Sequence, residues 1–372
     1  MLKHALLICV TALIITACSE TEEVIITSEK EDLTVITVGN WITQQNGKVM
    51  FDPQTSGLVA INDRLLTIAD ASADKSQQLK LHSIDPTTST LLSSSSTFSF
   101  STKVRRSCFY NYLSAEPDLE ALAVDPRDAN VIYTVTEDAT RTGALSPRCE
   151  SKYSTTGSTD YPTLLVRLAR KANGDFAMTH VRPLQFPASF NVGNFPNDGI
   201  EGIAMDADGT MYLGLEKDTA GQPRIFSVNV DDNFFSTTDF AVVKEPALLL
   251  PEFPSGNHPI NGLTLHKVND RAFLIAAARN DDELWIIDVA GEQTTLRVPV
   301  TFMVKGTEAC EDYVMDNASM EGLVTLENTL WIINDPWEKN YFKNASCKAD
   351  EEKYKDLAPL LFSVPLNDAW FQ

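Results

Sequence analysis

Five times in the chain a polar residue, then a small one, then Leu or Ile open a strand-like run. The copies are Ser56-Gly57-Leu58, Glu120-Ala121-Leu122, Glu201-Gly202-Ile203, Asn261-Gly262-Leu263 and Glu321-Gly322-Leu323. Their leading residues stand 64, 81, 60 and 60 positions apart. In the third copy, residues 201–206, 211–215, 224–228 and 239–243 read as four short strands, with Ala207-Asp208-Gly209 as the first turn. The other copies follow the same series, and the first ends in a Ser/Thr-rich run reaching Phe100. Many short strands on a long repeat predict an all-β chain, a five-bladed β-propeller of four-stranded blades. Two packed sheets would not explain five similar openings. The fifth repeat lacks a fourth strand, and residues 33–38 can supply it, closing the ring by pairing the two ends of the chain.

In such a ring the first strand of each blade lines the axis. Side chains alternate along a strand, so the leading residue shares a face with the aliphatic residue two places on, and the small residue lies opposite, where inner strands crowd. Ser56, Glu120, Glu201, Asn261 and Glu321 are therefore expected to converge at one mouth. At about 5 Å and an effective dielectric of about 20, each carboxylate pair there repels by roughly 3 kcal/mol. Three pairs reach on the order of 9 kcal/mol, comparable to a domain's whole stability. A bound cation or raised pKa values must relieve this. The five candidates offer only oxygen, which points to Ca²⁺. The simpler alternative is solvated Glu residues hydrogen-bonded to backbone amides.

The second strands run back to the same mouth and end in Asp70, Glu137, Glu216, Arg279-Asn280 and Asp335, a wider polar ring. Glu137, Glu216 and Asp335 are candidate general bases, and Lys217 and Arg279 candidate holders of an anionic substrate. His258, in the loop entering the fourth blade, is the His expected near the mouth, and Trp337 is either a mouth aromatic or a blade cap. Outside the first residues there are four cysteines, which allow three pairings. Cys108 and Cys149 flank the first two strands of the second blade, and Cys310 and Cys347 those of the fifth. Both loops of each pair reach one mouth, so Cys108–Cys149 and Cys310–Cys347 is the natural pairing. No G-x-S-x-G elbow, P-loop or H-E-x-x-H is present.

The first residues read as an export signal. The apolar run 5–17 has the length of a signal-peptide core, too short to span a bilayer comfortably. It ends Ile15-Thr16-Ala17-Cys18, similar to the lipobox of bacterial lipoproteins, which implies lipidation of Cys18. Ser19 resembles the outer-membrane sorting pattern. The expected organisation is a signal peptide over 1–17, an acidic tether over 18–33 and a propeller domain over 34–372, on a lipid anchor in the bacterial envelope. The net charge of −21 excludes nucleic acid as a natural partner.

The Ser-Gly-Leu and Glu-Gly openings, with Met320-Glu321-Gly322-Leu323 and Leu330-Trp331-Ile332-Ile333-Asn334-Asp335, resemble the exported esterase-like phytase domain. The order Ser, Glu, Glu, polar, Glu also resembles the calcium-activated nucleotidases, five-bladed propellers with an axial Ca²⁺, in which a Ser stands at the place of Asn261. These resemblances imply the same scaffold and Ca²⁺ ring, with hydrolysis of phosphoesters as the activity. The alternative is a non-catalytic, Ca²⁺-stabilised module that binds a small anionic ligand or a protein, with a lactonase as a further option.

Overall fold

The computed structural model describes residues 33–137, 145–153, 162–190, 192, 199–216 and 218–372. The export signal, Cys18 and Lys217 lie outside the described residues. All the strands belong to one compact unit, residues 34–372.

The chain is all-β, its helices confined to short loop segments. After β1 (Val35–Trp41) comes an antiparallel sheet of β2 (Thr55–Ile61), β3 (Arg64–Ala69), β4 (Leu81–Asp85) and β5 (Thr90–Ser94). A two-residue strand β6 (Ser99–Phe100) and the helices α1 (Thr102–Arg105) and α2 (Tyr110–Leu113) lead to the second sheet. That sheet holds β7 (Leu119–Asp125), β8 (Asp128–Thr136), β9 (Leu164–Arg170) and β10 (Phe176–Gln185), with α3 (Pro147–Tyr153) between its second and third strands. The third comprises β11 (Ile200–Met205), β12 (Thr210–Leu215) and β13 (Arg224–Asn229), and is followed by β14 (Ala241–Val242). Then come β15 (Gly262–Val268), β16 (Arg271–Ala278), β17 (Glu283–Asp288), β18 (Leu296–Val304) and the short β19 (Tyr313–Val314). Last are β20 (Met320–Leu326), β21 (Thr329–Asn334) and β22 (Leu360–Pro365), with α4 (Glu338–Tyr341) and α5 (Glu351–Lys355) in the loop before β22.

The strands that carry the opening triplets pack on one another in chain order. β2 lies on β7, β7 on β11, β11 on β15, β15 on β20, and β20 returns to β2. This ring of first strands, each leading outward into its own antiparallel meander, is a β-propeller arrangement. The small residue of the triplet is what the close approach requires. A methyl group on Gly57 would meet the backbone N of Leu122 at 2.7 Å, and one on Gly322 the backbone N of Leu58 at 2.7 Å. Separate apolar cores fill the spaces between neighbouring sheets. Ile42, Leu58, Leu65, Ile333 and Leu361 form one, and Ala204, Ile260, Leu274 and Trp285 another.

The outer strands depart from the sequence reading. The segment expected to complete the third sheet instead runs parallel to β10, Leu184 beside Ala241. Its link to its own sheet is the Ser227–Lys244 bridge, while Ala241 and Val243 pack in the core beside it. β1 does meet β22, but only at Asn40 and Trp41, beyond the residues 33–38 expected to pair there, with Trp41 opposite Leu360. Over five further residues it runs parallel to β18, Val35 beside Val300 through Gly39 beside Val304. It therefore joins the fourth and fifth sheets rather than completing the fifth alone. β6 likewise lies on β10, Phe100 beside Met178. An outermost strand exposes a row of unpaired amides and carbonyls, and these borrowed partners cover it.

Both expected disulfides form, Cys108–Cys149 and Cys310–Cys347. Each closes a loop of about 40 residues, for which the chain-entropy model gives roughly 4 kcal/mol. The first pins α2 and α3 onto the second sheet, where Phe109, Tyr112, Leu113 and Tyr153 are buried.

Because Gly322 abuts both the Ile333 side chain and the backbone of the next inner strand, Gly322→Ala must push neighbouring backbones apart as well as displace a side chain. It is expected to destabilise by about 1–3 kcal/mol, read from the urea midpoint. An unchanged midpoint would show that the ring of first strands is loose.

Candidate functional site

Four of the five leading residues stand at a break in strand pairing, Asn261 being the exception. Between β2 and β3 the register slips at Ser56, since Thr55 faces Ala69 and Gly57 already faces Ile68. The same slip occurs at Glu201 and at Glu321. In the second repeat the skipped residue is Ala121, held at φ +40°. Such bulges add a residue to one strand and turn its side chain away from plain alternation. The leading residues and the aliphatics two places on consequently face different ways. Ser56, Glu120, Glu201 and Glu321 line a central cavity of about 900 Å³, whereas Leu58, Leu122, Ile203 and Leu263 sit in the cores between sheets. This corrects the expectation of a shared face.

Asn261 stands apart. It is fully buried and does not line the cavity. Its Nδ2 lies 3.5 Å from Glu321 Oε1, and its Oδ1 has no partner.

The wider ring is present in full. Asp70, Glu137, Glu216, Arg279, Asn280 and Asp335, all just beyond the ends of second strands, line the same cavity. Ser56 Oγ donates to Glu120 Oε2. Glu137 Oε1 accepts from the backbone N of Gly199 at 2.9 Å. Arg279 spans the two rings, its Nη2 2.8 Å from Glu216 Oε1 and its Nη1 3.3 Å from Glu321 Oε2. The guanidinium expected to hold a substrate is thus held by two carboxylates.

Two groups of carboxylates are close enough to share an ion. One oxygen each from Asp118, Glu120 and Glu137 lie within 4.8 Å of one another, as do oxygens of Glu137, Glu201 and Glu216. Glu137 belongs to both groups. Sequence reasoning missed Asp118, although its place two residues before Glu120 was the signal, since alternation repeats a face every second residue. The disulfide-pinned loop positions this group. The hydroxyl of Tyr112, on α2, accepts from the Asp118 backbone N at 3.0 Å and reaches the Glu137 carbonyl at 3.5 Å. On the other side Asn344 and Asn317 bond reciprocally, at 3.0 and 3.1 Å, tying the loop that holds Cys347 to the cavity wall.

Burial pushes the carboxyls of Glu120, Glu201 and Glu321 well above the ordinary range. Neighbouring carboxylates add to this for Glu120 and Glu201, while Arg279 opposes it at Glu321. Burial, then the charge of Asp118, raises Glu137 to about 8. Burial, then Asp70, raises Asp335 to about 8. Asp70 itself rises to about 6, through burial and Asp118. At Arg279 burial works against the charge, yet Glu321 and Glu216 keep it protonated.

His258 does not line the cavity. Its Nδ1 is 3.0 Å from Asp281 Oδ1, its Nε2 is 3.0 Å from the Ser255 carbonyl, and its ring stacks on Phe253. Trp337 does line the cavity and is exposed.

No protein-family model matches the chain, and no curated protein matches its sequence. The resemblances read from the motifs therefore find no family to confirm them. Among solved structures the chain is similar to a PQQ-bound aldose sugar dehydrogenase from Streptomyces coelicolor, at 10% identity over 83% of this chain and 93% of that one, with a TM-score of 0.35. It is also similar to a GH43_1 enzyme from Xanthomonas citri complexed with xylotriose, at 9% identity over 89% and 90%, TM-score 0.44. The Malassezia sympodialis allergen Mala s 1 matches at 8% identity over 85% and 94%, TM-score 0.43. Likenesses this distant say nothing about chemistry.

A carboxyl whose pKa is raised by folding binds its proton more tightly in the folded state. Its contribution to stability is full below about pH 4 and is lost as pH climbs to about 8. The melting temperature of EDTA-treated protein should therefore fall between pH 5 and pH 8, and Ca²⁺ should restore more at pH 8 than at pH 5. A melting temperature flat in pH and indifferent to Ca²⁺ would contradict this reading of the cavity. Arg279→Met removes the cation that bridges Glu216 and Glu321. About 3 kcal/mol of stability should be lost in EDTA, with partial recovery in Ca²⁺, measured by denaturant unfolding at pH 8.

Proposed function

We propose that the cavity is the mouth of a five-bladed propeller, that it binds Ca²⁺, and that it hydrolyses phosphoesters. The observation that carries this reading is the pair of carboxylate groups meeting at Glu137. Two further features fit a hard cation. The donors are oxygens throughout, and Asp118, Glu120, Glu137 and Glu201 are buried. Glu120, Glu137 and Glu201, joined by Asp118 and Glu216, would hold the ion, with Ser56 orienting Glu120 and Asn261 backing Glu321. Bound there, Ca²⁺ would supply electrostatic stabilisation to a phosphoryl oxygen or to an attacking water.

The chain's own groups divide the proton work. Glu216 accepts from Arg279 and lines the cavity, so its carboxylate can orient a water and take its proton. Asp335, raised to about 8 and lining the cavity, holds a proton at neutral pH and can give it to a leaving oxygen. Asn257 and Asn280 line the same wall and offer amide donors to a substrate. The reading includes anchoring through Cys18 in the bacterial envelope, with the outer membrane as the site and no nucleic-acid partner.

The test is turnover of a phosphoester panel by residues 34–372 in Ca²⁺ and in EDTA. Asp335→Asn is expected to lower kcat by about 10²–10⁴-fold while Ca²⁺ still raises the melting temperature. Glu201→Gln should weaken that Ca²⁺ shift. Saturable Ca²⁺ binding without turnover on any ester would replace hydrolysis by a binding role, and activity indifferent to both substitutions would remove the site altogether.

A further inference from the structure

The far ends of the strands carry a second cavity, of about 480 Å³, between the first and second sheets. β2 opens at the acidic mouth with Ser56 and ends at Ile61, which lines this second cavity, roughly 17 Å further along the strand. The two cavities therefore lie at opposite ends of the same strands.

Its charge is opposite too. Arg64 follows a tight turn whose residues Asn62 and Asp63 both have positive φ, and Arg170 ends β9. Both side chains line the cavity and are exposed. Among the described residues neither has an ion-pair partner, in a chain of net charge −21. Asp175, on the same wall, does not answer them. Its Oδ1 accepts from the Ser96 backbone N, its Oδ2 accepts from Asn173 Nδ2, and Lys171 is its ion-pair partner. The Ser96 bond also ties the first sheet to the β9–β10 turn, which fixes the width of the gap.

A third group points inward. Ser83 is buried, with 8% of its surface exposed, and lines the cavity, yet its Oγ has no hydrogen-bond partner. A buried hydroxyl is almost always satisfied, so an orphan facing a cavity marks where a ligand atom belongs. Beside it Leu66, Leu81 and Phe176 give an apolar wall.

We propose that this groove is an anion-binding site that takes a carboxylate, sulfate or phosphate carried on a small molecule with one apolar face, the chemistry of an acidic sugar. The two guanidiniums hold the anionic group by charge-assisted bonds, Ser83 takes a hydroxyl or an anionic oxygen, and the apolar wall covers the ring face.

Titration calorimetry of residues 34–372 in EDTA, with glucuronate, sulfate and neutral methyl glucoside, tests this apart from any anion held at a Ca²⁺ centre. Glucuronate and sulfate should bind and methyl glucoside should not. The double variant Arg64→Ala/Arg170→Ala, altered only at exposed positions, should bind glucuronate at least tenfold more weakly. Ser83→Ala should weaken glucuronate several-fold without lowering the melting temperature, since it removes a hydroxyl that has no partner in the fold. Equal affinity in the double variant, tighter binding of methyl glucoside than of glucuronate, or no binding of either acid at millimolar concentration overturns the proposal.

Discussion

The structure turns on the close approach of its first strands. With Gly or Ala at the middle of each opening triplet, neighbouring inner strands come within backbone contact. The three carboxylates that lead the triplets at Glu120, Glu201 and Glu321 are then forced into one buried space. Larger residues there would push the strands apart and let water separate the charges. The packing that closes the ring and the electrostatic stress at its centre are one constraint. The fold answers some of that stress with its own cation. Arg279 bridges Glu216 and Glu321, and its bonds reach neither Glu120 nor Glu137.

This asymmetry could not be read from five similar triplets. The spacing implied a ring, and the structure has one. The ends of the second strands implied a wider polar tier, and Asp70, Glu137, Glu216, Arg279, Asn280 and Asp335 all line the cavity. The disulfides followed from loop placement, because topology alone brings Cys108 near Cys149 and Cys310 near Cys347. What alternation could not supply was the bulge. A one-residue slip at Ser56, Glu201 and Glu321 depends on hydrogen bonds to a neighbouring strand, and no local residue preference announces it. For the same reason the sequence misplaced residues 239–243 and the partners of β1. A short edge strand joins whichever neighbour leaves amides uncovered, and that is settled by three-dimensional arrangement.

The long loops have a role that their composition concealed. Tyr112 lies in an inserted segment outside the repeat, yet its hydroxyl contacts the backbone of both Asp118 and Glu137. The Cys108–Cys149 bond holds that segment down, and the Asn317–Asn344 pair does the same at the Cys347 loop. Each disulfide thus acts on the cavity as well as on loop entropy. A carboxylate group whose backbone is fixed cannot relax its repulsion by moving apart, which is what keeps the raised pKa values raised.

Strand direction then links the two cavities. Every inner strand has one end at the acidic mouth, so any charge placed at the other end is separated from it by the length of the strand, roughly 17 Å from Ser56 to Ile61. That is about two Debye lengths at physiological salt, enough for Arg64 and Arg170 to stay free of the mouth's carboxylates. Arg127, Arg224, Arg279 and Arg297 each pair with a carboxylate within reach. Arg64 and Arg170 are kept from doing so by position. The propeller geometry that crowds negative charge at one end of its strands is what leaves positive charge available at the other.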